Sequence, residues 1–449
     1  MTRCSDSGED STENPDRNQK KRKKRGKHVS FPPDEQIVSG FAEDAGRTDD
    51  SCVTLMDVIG AYQQSCSKHQ VQPRETILQQ LQQGVCGGGS VECLDLKGER
   101  LDHRSCEALE VVLKSLHFDF INLQAAQLEE NGASSLLDMI LYYESTTYLD
   151  ISDNGSMGTS SWRALAHLIK QSVCLSRLDA CNVCLVDYRV QSLSKALLTS
   201  RLRVLHLNNA QLSGSPLFTL VGALKTNRAL LELHLSSNQL NGYQDAMQLG
   251  DLLRYNNTLQ TLELSDNVLA DAGLEELCDG LSRQTKGLKV LILKNNQITE
   301  RGMNHLARTL PGLKILEVLD LGDNHLGNEG IQVIREPLMV NSSLLHLGLA
   351  QTNITCEGKG AVALAEFLAE SRLIQRLDLH QNQVKLGGLM ALSLALRINC
   401  SLSHLGVDPI PPQELDEFLT ETQKRLQAEI TQRCNANASR LKRRNQGEM

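Results

Sequence analysis

The sequence predicts an α/β solenoid, in which short parallel strands form an inner sheet and helices form the outer layer. Three observations predict this architecture: a repeat of about 28 residues, an aliphatic composition, and a strand pattern followed by a helix pattern in each unit. Of the 449 residues, 40% are hydrophobic but only 3% are aromatic. A stack of similar aliphatic layers accounts for that balance better than a globular core built around large rings.

The repeat is the pattern Leu-x-Leu-x-x-Asn-x-Leu. Clear copies begin at Leu233, Leu262, Leu291, Leu319 and Leu377. Weaker copies begin at Leu94, Ile121, Leu149, Leu178, Leu205, Leu347 and Leu405. Successive copies start 27 to 30 residues apart over twelve units, and a period this regular is typical of repeat proteins.

Each unit divides into a strand, a turn and a helix. Alternation of Leu-x-Leu predicts a short strand with both leucines pointing inward. An inward asparagine can then hydrogen-bond the buried backbone of the turn, and this place is taken by Asn154, Asn238, Asn267, Asn296, Asn324 and Asn382. We expect less regular turns where the asparagine is replaced, at Ala126, Val183, Ala210 and Thr352. After the strand at Leu262, apolar residues at Leu274, Leu277, Cys278 and Leu281 share one helical face.

The chain divides into four regions. We expect a disordered basic tail over residues 1–50, because the segment has too few apolar side chains to fold alone. An N-terminal helical cap covers residues 51–90, the solenoid covers 91–410, and a capping helix with a frayed end covers 411–449. In that last helix one apolar stripe comprises Leu415, Phe418, Leu419, Thr422, Leu426 and Ile430. The stripe is either a cap for the final repeat, which we favour, or a detachable partner helix.

The units resemble leucine-rich repeats of the ribonuclease-inhibitor type, over residues 91–410. That resemblance implies a horseshoe with its parallel sheet inside, acting as a binding scaffold and not as an enzyme. No phosphate-binding Gly-rich motif is visible and the twelve histidines are scattered, so we expect neither a catalytic site nor a cofactor. Cys181 and Cys184 have metal-ligand spacing, but no second pair completes a tetrahedral site, so no metal is expected.

The tail contains one segment with a distinct pattern. Residues 17–27 include eight basic residues and no acidic one, and the sequence KHVSFPPDEQIVSGF follows from Lys27. In an extended backbone, Val29 and Phe31 face the same side. The two prolines after Phe31 disfavour a helix. Such a peptide is suited to adding a strand to the sheet edge of another protein.

Lys27-His28-Val29-Ser30-Phe31 resembles the RVxF docking motif of regulatory subunits of type-1 protein phosphatase. The resemblance implies that Val29 and Phe31 fill two pockets on the catalytic subunit, with Lys27 in the basic position. Ile37 and Val38 look like the paired apolar element that often follows. Together with the repeats, the chain is similar to leucine-rich-repeat subunits that inhibit or redirect this phosphatase, and its catalytic subunit is the implied partner.

Two other functions remain open. One is a GTPase-activating protein built on the same repeats, of the kind that acts on the Ran GTPase. Those proteins typically end in an acidic tail, whereas this sequence ends in RLKRRNQGEM, and a GTP hydrolysis assay would separate the two. The other is a ribonuclease-inhibitor-like binder without a link to the phosphatase.

Charge and hydropathy limit the kinds of partner and the cellular compartment that we expect. The basic run is a solvated charge block, a nuclear-import signal, or electrostatic support for docking. A net charge of −8 and the lack of stacking aromatics beside the run argue against nucleic acid. We find no signal peptide and no apolar run of membrane-spanning length, which predicts a cytoplasmic or nuclear protein with no membrane partner.

Two further features have alternative explanations. Acidic residues hold six of the eleven positions between the paired strand leucines, namely Asp95, Asp150, Asp179, Glu263, Asp320 and Asp378. They form either a contact surface, for a basic protein or for the tail itself, or a solvated polar face.

Ser30 follows Lys27 and Arg25, as targets of basophilic kinases do. It is either a phosphorylation switch that weakens docking or simply a residue in a solvent-facing position.

Overall fold

The computed structural model describes residues 54–83, 90–284, 286–355, 359–408 and 417–447. Residues 1–53, with the docking motif and Ser30, lie outside this part of the chain. The described part contains twelve strands. They are β1 (Ser90–Asp95), β2 (His117–Asn122), β3 (Thr146–Asp150), β4 (Arg177–Asp179), β5 (Val204–His206), β6 (Glu232–His234), β7 (Thr261–Glu263), β8 (Val290–Ile292), β9 (Val318–Asp320), β10 (His346–Gly348), β11 (Arg376–Asp378) and β12 (His404–Gly406).

The strands form one parallel sheet in which spatial order follows chain order from β1 to β12. The register is set by the predicted repeat starts. Leu94 pairs with Ile121, Leu262 pairs with Leu291, and each of the other starts pairs with the next one in the same way. The predicted fold, a leucine-rich-repeat solenoid with a parallel sheet and alternating helices, is therefore confirmed.

Helices connect the strands on the other side of the core. They are α1 (Leu55–His69), α2 (Glu75–Gln83), α3 (His103–Ala108), α4 (Glu110–Ser115), α5 (Glu130–Tyr143), α6 (Thr159–Gln171), α7 (Tyr188–Leu197), α8 (Ser215–Leu224), α9 (Gln244–Tyr255), α10 (Ala270–Ser282), α11 (Met303–Thr309), α12 (Gly327–Val340), α13 (Gly360–Glu370), α14 (Lys385–Ile398) and α15 (Glu417–Gly447). A short 3-10 helix, Leu310–Gly312, follows α11. None of these helices combines the length and apolarity needed to span a membrane.

The core is a stack of aliphatic layers between sheet and helices. In α10 the buried face includes Leu274, Leu277, Cys278 and Leu281, as the helical spacing predicts. Facing it, the strand leucines are fully buried, and Leu264 has no exposed surface. Each layer therefore repeats the same contact between one strand and one helix, and its neighbours cover its two open sides.

The turn asparagines link neighbouring repeats as well as closing their own turn. Asn324 is fully buried. Its amide nitrogen donates to Leu293 O and Leu321 O, both at 2.9 Å. Its amide oxygen accepts from Asn296 N at 2.9 Å and Ile298 N at 3.0 Å, both in the preceding repeat. One side chain thus makes hydrogen bonds to buried backbone groups of two repeats. Without these bonds, burying those polar groups would cost free energy.

The turns that lack an asparagine are as regular as the others, so our expectation for Ala126, Val183, Ala210 and Thr352 was wrong. The residue just before each of them has a positive φ, between 52° and 57°, as do the residues before the asparagines. At Ala126, Ala210 and Thr352 the next repeat supplies a bond to the turn, from Asn154, Asn238 and Asn382 respectively. At Ala210 the amide nitrogen donates to Asn238 Oδ1 of the next repeat at 2.9 Å.

A second amide ladder, which we did not predict, runs along the ends of the helices. Asn256 donates to Leu224 O at 2.8 Å and accepts from Leu259 N at 2.9 Å. Equivalent bonds are made by Asn227, Gln284, Asn341 and Asn399. From α15, Asn437 donates to Leu402 O at 3.0 Å, so this helix continues the ladder past the last repeat.

The two ends of the array differ from the sequence expectation in detail. Thr54 and Asp57 form a capping box, which fixes the start of α1. In α15 the buried side chains are Gln423, Leu426, Ile430, Cys434 and Asn437. Phe418, which we placed on the apolar stripe, is 77% exposed because the packed face lies further along the helix. The segment expected to fray is helical as far as Gly447.

The asparagine ladder makes a testable contribution to stability. Asn324→Ala should lower the free energy of unfolding by about 2–4 kcal/mol, because buried backbone groups of two repeats lose their partners. Asn324→Thr should cost less, since Thr352 shows a hydroxyl donating to the equivalent carbonyl, Leu349 O, at 2.7 Å. Urea unfolding measures both. Asn304→Ala, on the exposed side of α11, is the matched control and should change stability by less than about 0.5 kcal/mol.

Candidate functional site

The candidate site is the solvent-facing side of the sheet, which carries two columns of side chains. Column A follows the first leucine of each strand: Asp95, Asn122, Asp150, Asp179, His206, His234, Glu263, Ile292, Asp320, Gly348, Asp378 and Gly406. Column B precedes that leucine: Cys93, Phe120, Tyr148, Arg177, Val204, Glu232, Thr261, Val290, Val318, His346, Arg376 and His404. Both columns alternate with the buried leucines, so they face away from the core.

Most acidic residues of column A accept a hydrogen bond from a nearby backbone amide. Asp150 Oδ1 accepts from Ser152 N at 2.8 Å, and Asp320 Oδ1 accepts from Gly322 N at 3.0 Å. The same bond, from the amide two residues further on, is made by Asp95, Glu263 and Asp378. This contact holds the chain as it leaves the strand and explains why short acceptors recur at these positions.

Four of these carboxylates have no cationic partner within 4.0 Å in the described part of the chain: Asp95, Asp150, Glu263 and Asp320. Burial raises the pKa of Asp150 and that of Asp320. The other two acidic residues are paired, Asp378 with His380 at 2.5 Å and Asp179 with Arg177 at 2.8 Å. In the acidic stripe predicted from sequence, Asp179 is thus paired with an arginine, Asp378 contacts a histidine, and the other four carboxylates have no such partner among the described residues.

Asp179 is the centre of a network across three strands. It is only 7% exposed. Arg177 clamps its carboxylate through Nε at 3.0 Å and Nη2 at 2.8 Å, while Tyr148 Oη donates at 2.8 Å. His206 Nδ1 lies 3.4 Å from Asp179 Oδ1. Burial alone would raise the pKa of Asp179, but bonds from His206 and Arg177 outweigh it and hold that pKa well below its usual range.

Planar groups stack beside this carboxylate. The Phe120 and Tyr148 rings lie parallel with centroids 4.1 Å apart, and the Arg177 guanidinium sits 4.3 Å from the Tyr148 centroid. On column A, the His206 and His234 rings are 4.0 Å apart. Burial, with help from His206 and Arg177, lowers the pKa of His234 to about 4, so its imidazole is neutral at pH 7. The five side chains form a platform of the aromatic and arginine type that dominates many protein interfaces.

We did not predict this platform from the sequence, because only column A was compared between repeats. Column B places Phe120, Tyr148 and Arg177 on three consecutive strands, and that comparison would have found it.

The described residues contain no group of three or more His, Cys, Asp or Glu side chains that could hold a metal ion. The six residues of the predicted docking segment, Lys27, Val29, Ser30, Phe31, Ile37 and Val38, all lie outside the described residues.

Comparison with known proteins finds several relatives that share one name. The chain is 48% identical to protein phosphatase 1 regulatory subunit 37 of Bos taurus over 294 residues, which is 65% of this chain and 42% of that protein. The protein of the same name from Danio rerio is 46% identical over 294 residues, 65% of this chain and 32% of that protein. A Caenorhabditis elegans homolog is 32% identical over 300 residues, 63% and 31% of the two chains. The chain thus spans about two fifths or less of the length of these relatives.

Two other comparisons concern the fold. A family model described as leucine-rich repeat matches residues 255–278 and 314–334. Among solved structures, the yeast Rad7 and Elc1 complex is similar with a TM-score of 0.47 and 18% identity, over 67% of this chain and 72% of that chain.

Proposed function

We propose that this leucine-rich-repeat protein, which is similar to protein phosphatase 1 regulatory subunit 37, is a regulatory subunit of type-1 protein phosphatase. The observation that carries the proposal is the identity of 46–48% to vertebrate proteins of that name. The KHVSF segment from Lys27 to Phe31 supports it independently, because it has the pattern of a phosphatase-docking motif. In this proposal the protein acts by binding and not by catalysis.

The tail provides the contact with the catalytic subunit. Val29 and Phe31 insert into apolar pockets, Lys27 supports them electrostatically, and Ile37 with Val38 adds a second apolar contact. Burying each of the two anchors contributes roughly 1.5–3 kcal/mol before the cost of ordering the peptide. The basic residues between Arg17 and Lys27 accelerate the encounter with an acidic surface, so binding should weaken with salt.

The repeats provide a scaffold for a further protein on the sheet face. Supporting this, Asp95, Asp150, Glu263 and Asp320 have no cationic partner within the described ranges. A basic partner would supply the missing charges. Holding such a partner beside the phosphatase would inhibit the enzyme or redirect it among its substrates.

The test is reconstitution from two purified proteins. The full chain and the type-1 catalytic subunit should co-elute as a stable complex, and the dephosphorylation of a protein substrate should change when the chain is added. A parallel assay of stimulated GTP hydrolysis by Ran tests the competing function. Failure to form the complex, at protein concentrations of about 10 μM or more, would refute the proposal.

Ser30 gives a sharper prediction about regulation. In the extended docked peptide its side chain points away from those of Val29 and Phe31. A phosphate would add about −1.5 to −2 charges to a segment whose basic lead-in indicates an acidic binding surface. Peptides spanning residues 20–41 should bind the catalytic subunit at least about tenfold more weakly when Ser30 is phosphorylated, by calorimetry.

The control is a peptide with Ser30→Ala, which should bind like the unmodified peptide because the hydroxyl makes no anchoring contact. Equal affinity of the phosphorylated and unmodified peptides would eliminate the switch and leave the docking motif intact.

A further inference from the structure

A depression interrupts the sheet face near its C-terminal end. It has a volume of about 170 Å³ and is formed by the adjacent strands β9 to β12. Gly348 forms its floor, and its polar walls are Asp320, His346, Arg376, Asp378 and His404. We call this depression the Gly348 notch. Sites for small molecules usually measure about 300–1,000 Å³, so the notch suits a single side chain.

The notch exists because column A has no side chain at Gly348. A Cβ atom built there would overlap Oδ1 of Asp320, whose carboxylate leans over the glycine from the preceding strand. The backbone at Gly348 is ordinary strand and pairs with Asp320 and Asp378 on either side. The glycine is therefore explained by the Asp320 carboxylate, which lies where a Cβ atom would be, and not by its backbone conformation.

The charge in the notch is incompletely compensated. Asp320 accepts one bond, from Gly322 N at 3.0 Å, and has no cation within 4.0 Å among the described residues. Lys294, the nearest candidate, pairs with Asp323 at 3.4 Å instead. On the opposite wall, Asp378 lies 2.5 Å from His380. Burial raises the pKa of Asp320, while the bond from Gly322 N and the charge of Lys294 oppose that rise and the charge of Asp378 adds to it. A carboxylate that is partly buried and has no direct cationic partner favours an incoming cation.

One further wall of the notch, His346, can also accept a hydrogen bond. Burial, followed by the charge of Arg376, lowers the pKa of His346, so its imidazole is neutral at pH 7 and offers a lone pair. A guanidinium has five donors in one plane and can reach carboxylates and an imidazole together, which a lysine ammonium cannot do with the same geometry. Arg376 is exposed and opposes the incoming charge.

We propose that the Gly348 notch receives an arginine side chain from a basic segment of a partner protein, with Asp320 as its principal counter-ion. The proposal rests on the scaffold role proposed above and deepens it, because it assigns arginine-containing phosphoproteins as the class of protein held beside the phosphatase. The notch is one position of defined shape on the acidic sheet face. Insertion of an arginine side chain at this position can therefore be distinguished from attraction by net charge alone.

The test uses the full chain and a fluorescein-labelled 12-residue peptide with three arginines, beside a matched peptide with three glutamines. Gly348→Ala changes no formal charge, but its methyl group would take the place of the Asp320 carboxylate and displace it, so this variant should weaken binding of the arginine peptide at least fivefold in fluorescence anisotropy. Asp320→Asn, which is nearly isosteric, should weaken it about tenfold, equivalent to about 1.4 kcal/mol. Arg376→Gln should strengthen it, because a competing charge leaves the rim.

Asp138→Asn is the charge-matched control, since Asp138 is exposed on α5 and far along the chain from β9. It should change the affinity by less than twofold. Thermal melts of all variants should match the parent within a few degrees. Equal binding of the arginine peptide by the parent and Gly348→Ala, or weaker binding by Arg376→Gln, would overturn the proposal.

Capture of the type-1 catalytic subunit is measured with the same proteins and separates the two proposals. The Gly348→Ala and Asp320→Asn chains should capture it as the parent does, because the docking segment is unchanged. Loss of peptide binding with intact capture supports the notch. Absence of capture by the parent refutes the phosphatase role, while the peptide result still decides the notch.

Discussion

Replacing Val29 and Phe31 together by alanine should reduce the affinity of the full chain for the type-1 catalytic subunit by at least about 100-fold. The two side chains are the only bulky apolar residues between Cys4 and Phe31, so no neighbour can substitute for them. Together they contribute roughly 3–6 kcal/mol to the docked state, and truncation removes most of that amount. Surface plasmon resonance with immobilised catalytic subunit measures the change directly.

Two controls make this result specific. Ser30→Ala changes the residue between the anchors and should leave affinity within about twofold. A peptide spanning residues 20–41 should compete with the parent chain, whereas the same peptide with both anchors changed to alanine should not. If the double variant binds as the parent does, the contact with the phosphatase is elsewhere, and the KHVSF segment is not a docking motif.

The fold could be predicted almost completely because the same signal occurs in every repeat. A single Leu-x-Leu pair is weak, and the copy at Ile121 or Leu347 would not be convincing alone. Because the copies are spaced 27 to 30 residues apart, the position of each weak copy is identified by its neighbours. The observed register follows the predicted starts. The sheet is parallel for the same reason, since a helical connection lies between each strand and the next.

The details that could not be predicted depend on contacts between repeats. Asn238 bonds the turn at Ala210, so a hydrogen bond that holds this turn comes from the next repeat and not from its own residue. In the same way Asn256 looks like an ordinary helix-end residue in the sequence, yet it donates to a carbonyl 32 residues earlier. Patterns within one repeat do not contain this information.

The candidate site likewise has features that the sequence predicts and features that depend on neighbouring strands. Sequence spacing places Asp179 and Asp320 in one column, and the structure agrees. Sequence spacing does not distinguish the two aspartates, because the difference between them comes from column B. Arg177 neutralises Asp179. Val318, the column B residue on the strand of Asp320, carries no charge. The partners of a carboxylate, and hence its availability to a ligand, are set by side chains on the same and neighbouring strands.

Leu264→Ala and Leu293→Ala should each lower the free energy of unfolding by about 2–5 kcal/mol. Both side chains are fully buried, each directly after one of the adjacent strands β7 and β8, and each deletion leaves a cavity between sheet and helix. The backbone of the two repeats is tied together here, because Leu264 O accepts from Asn296 Nδ2 at 2.8 Å. The surroundings therefore cannot collapse into the cavity without breaking the ladder. Val268→Ala, at a site 44% exposed in the same repeat, is the control and should cost less than about 0.5 kcal/mol.

Combining the substitutions tests the register and the coupling between neighbouring repeats. The Leu264→Ala, Leu293→Ala double variant should deviate from the sum of its single effects by more than about 0.5 kcal/mol, because the two cavities share a boundary. Leu264→Ala with Leu379→Ala should be additive within that margin, since Leu379 is buried four strands away, roughly 19 Å at 4.8 Å per strand. Urea unfolding followed by circular dichroism gives all the values. Single variants that unfold like the parent would show that these leucines are not in the core. Additivity in the adjacent pair would show instead that each repeat absorbs its own cavity.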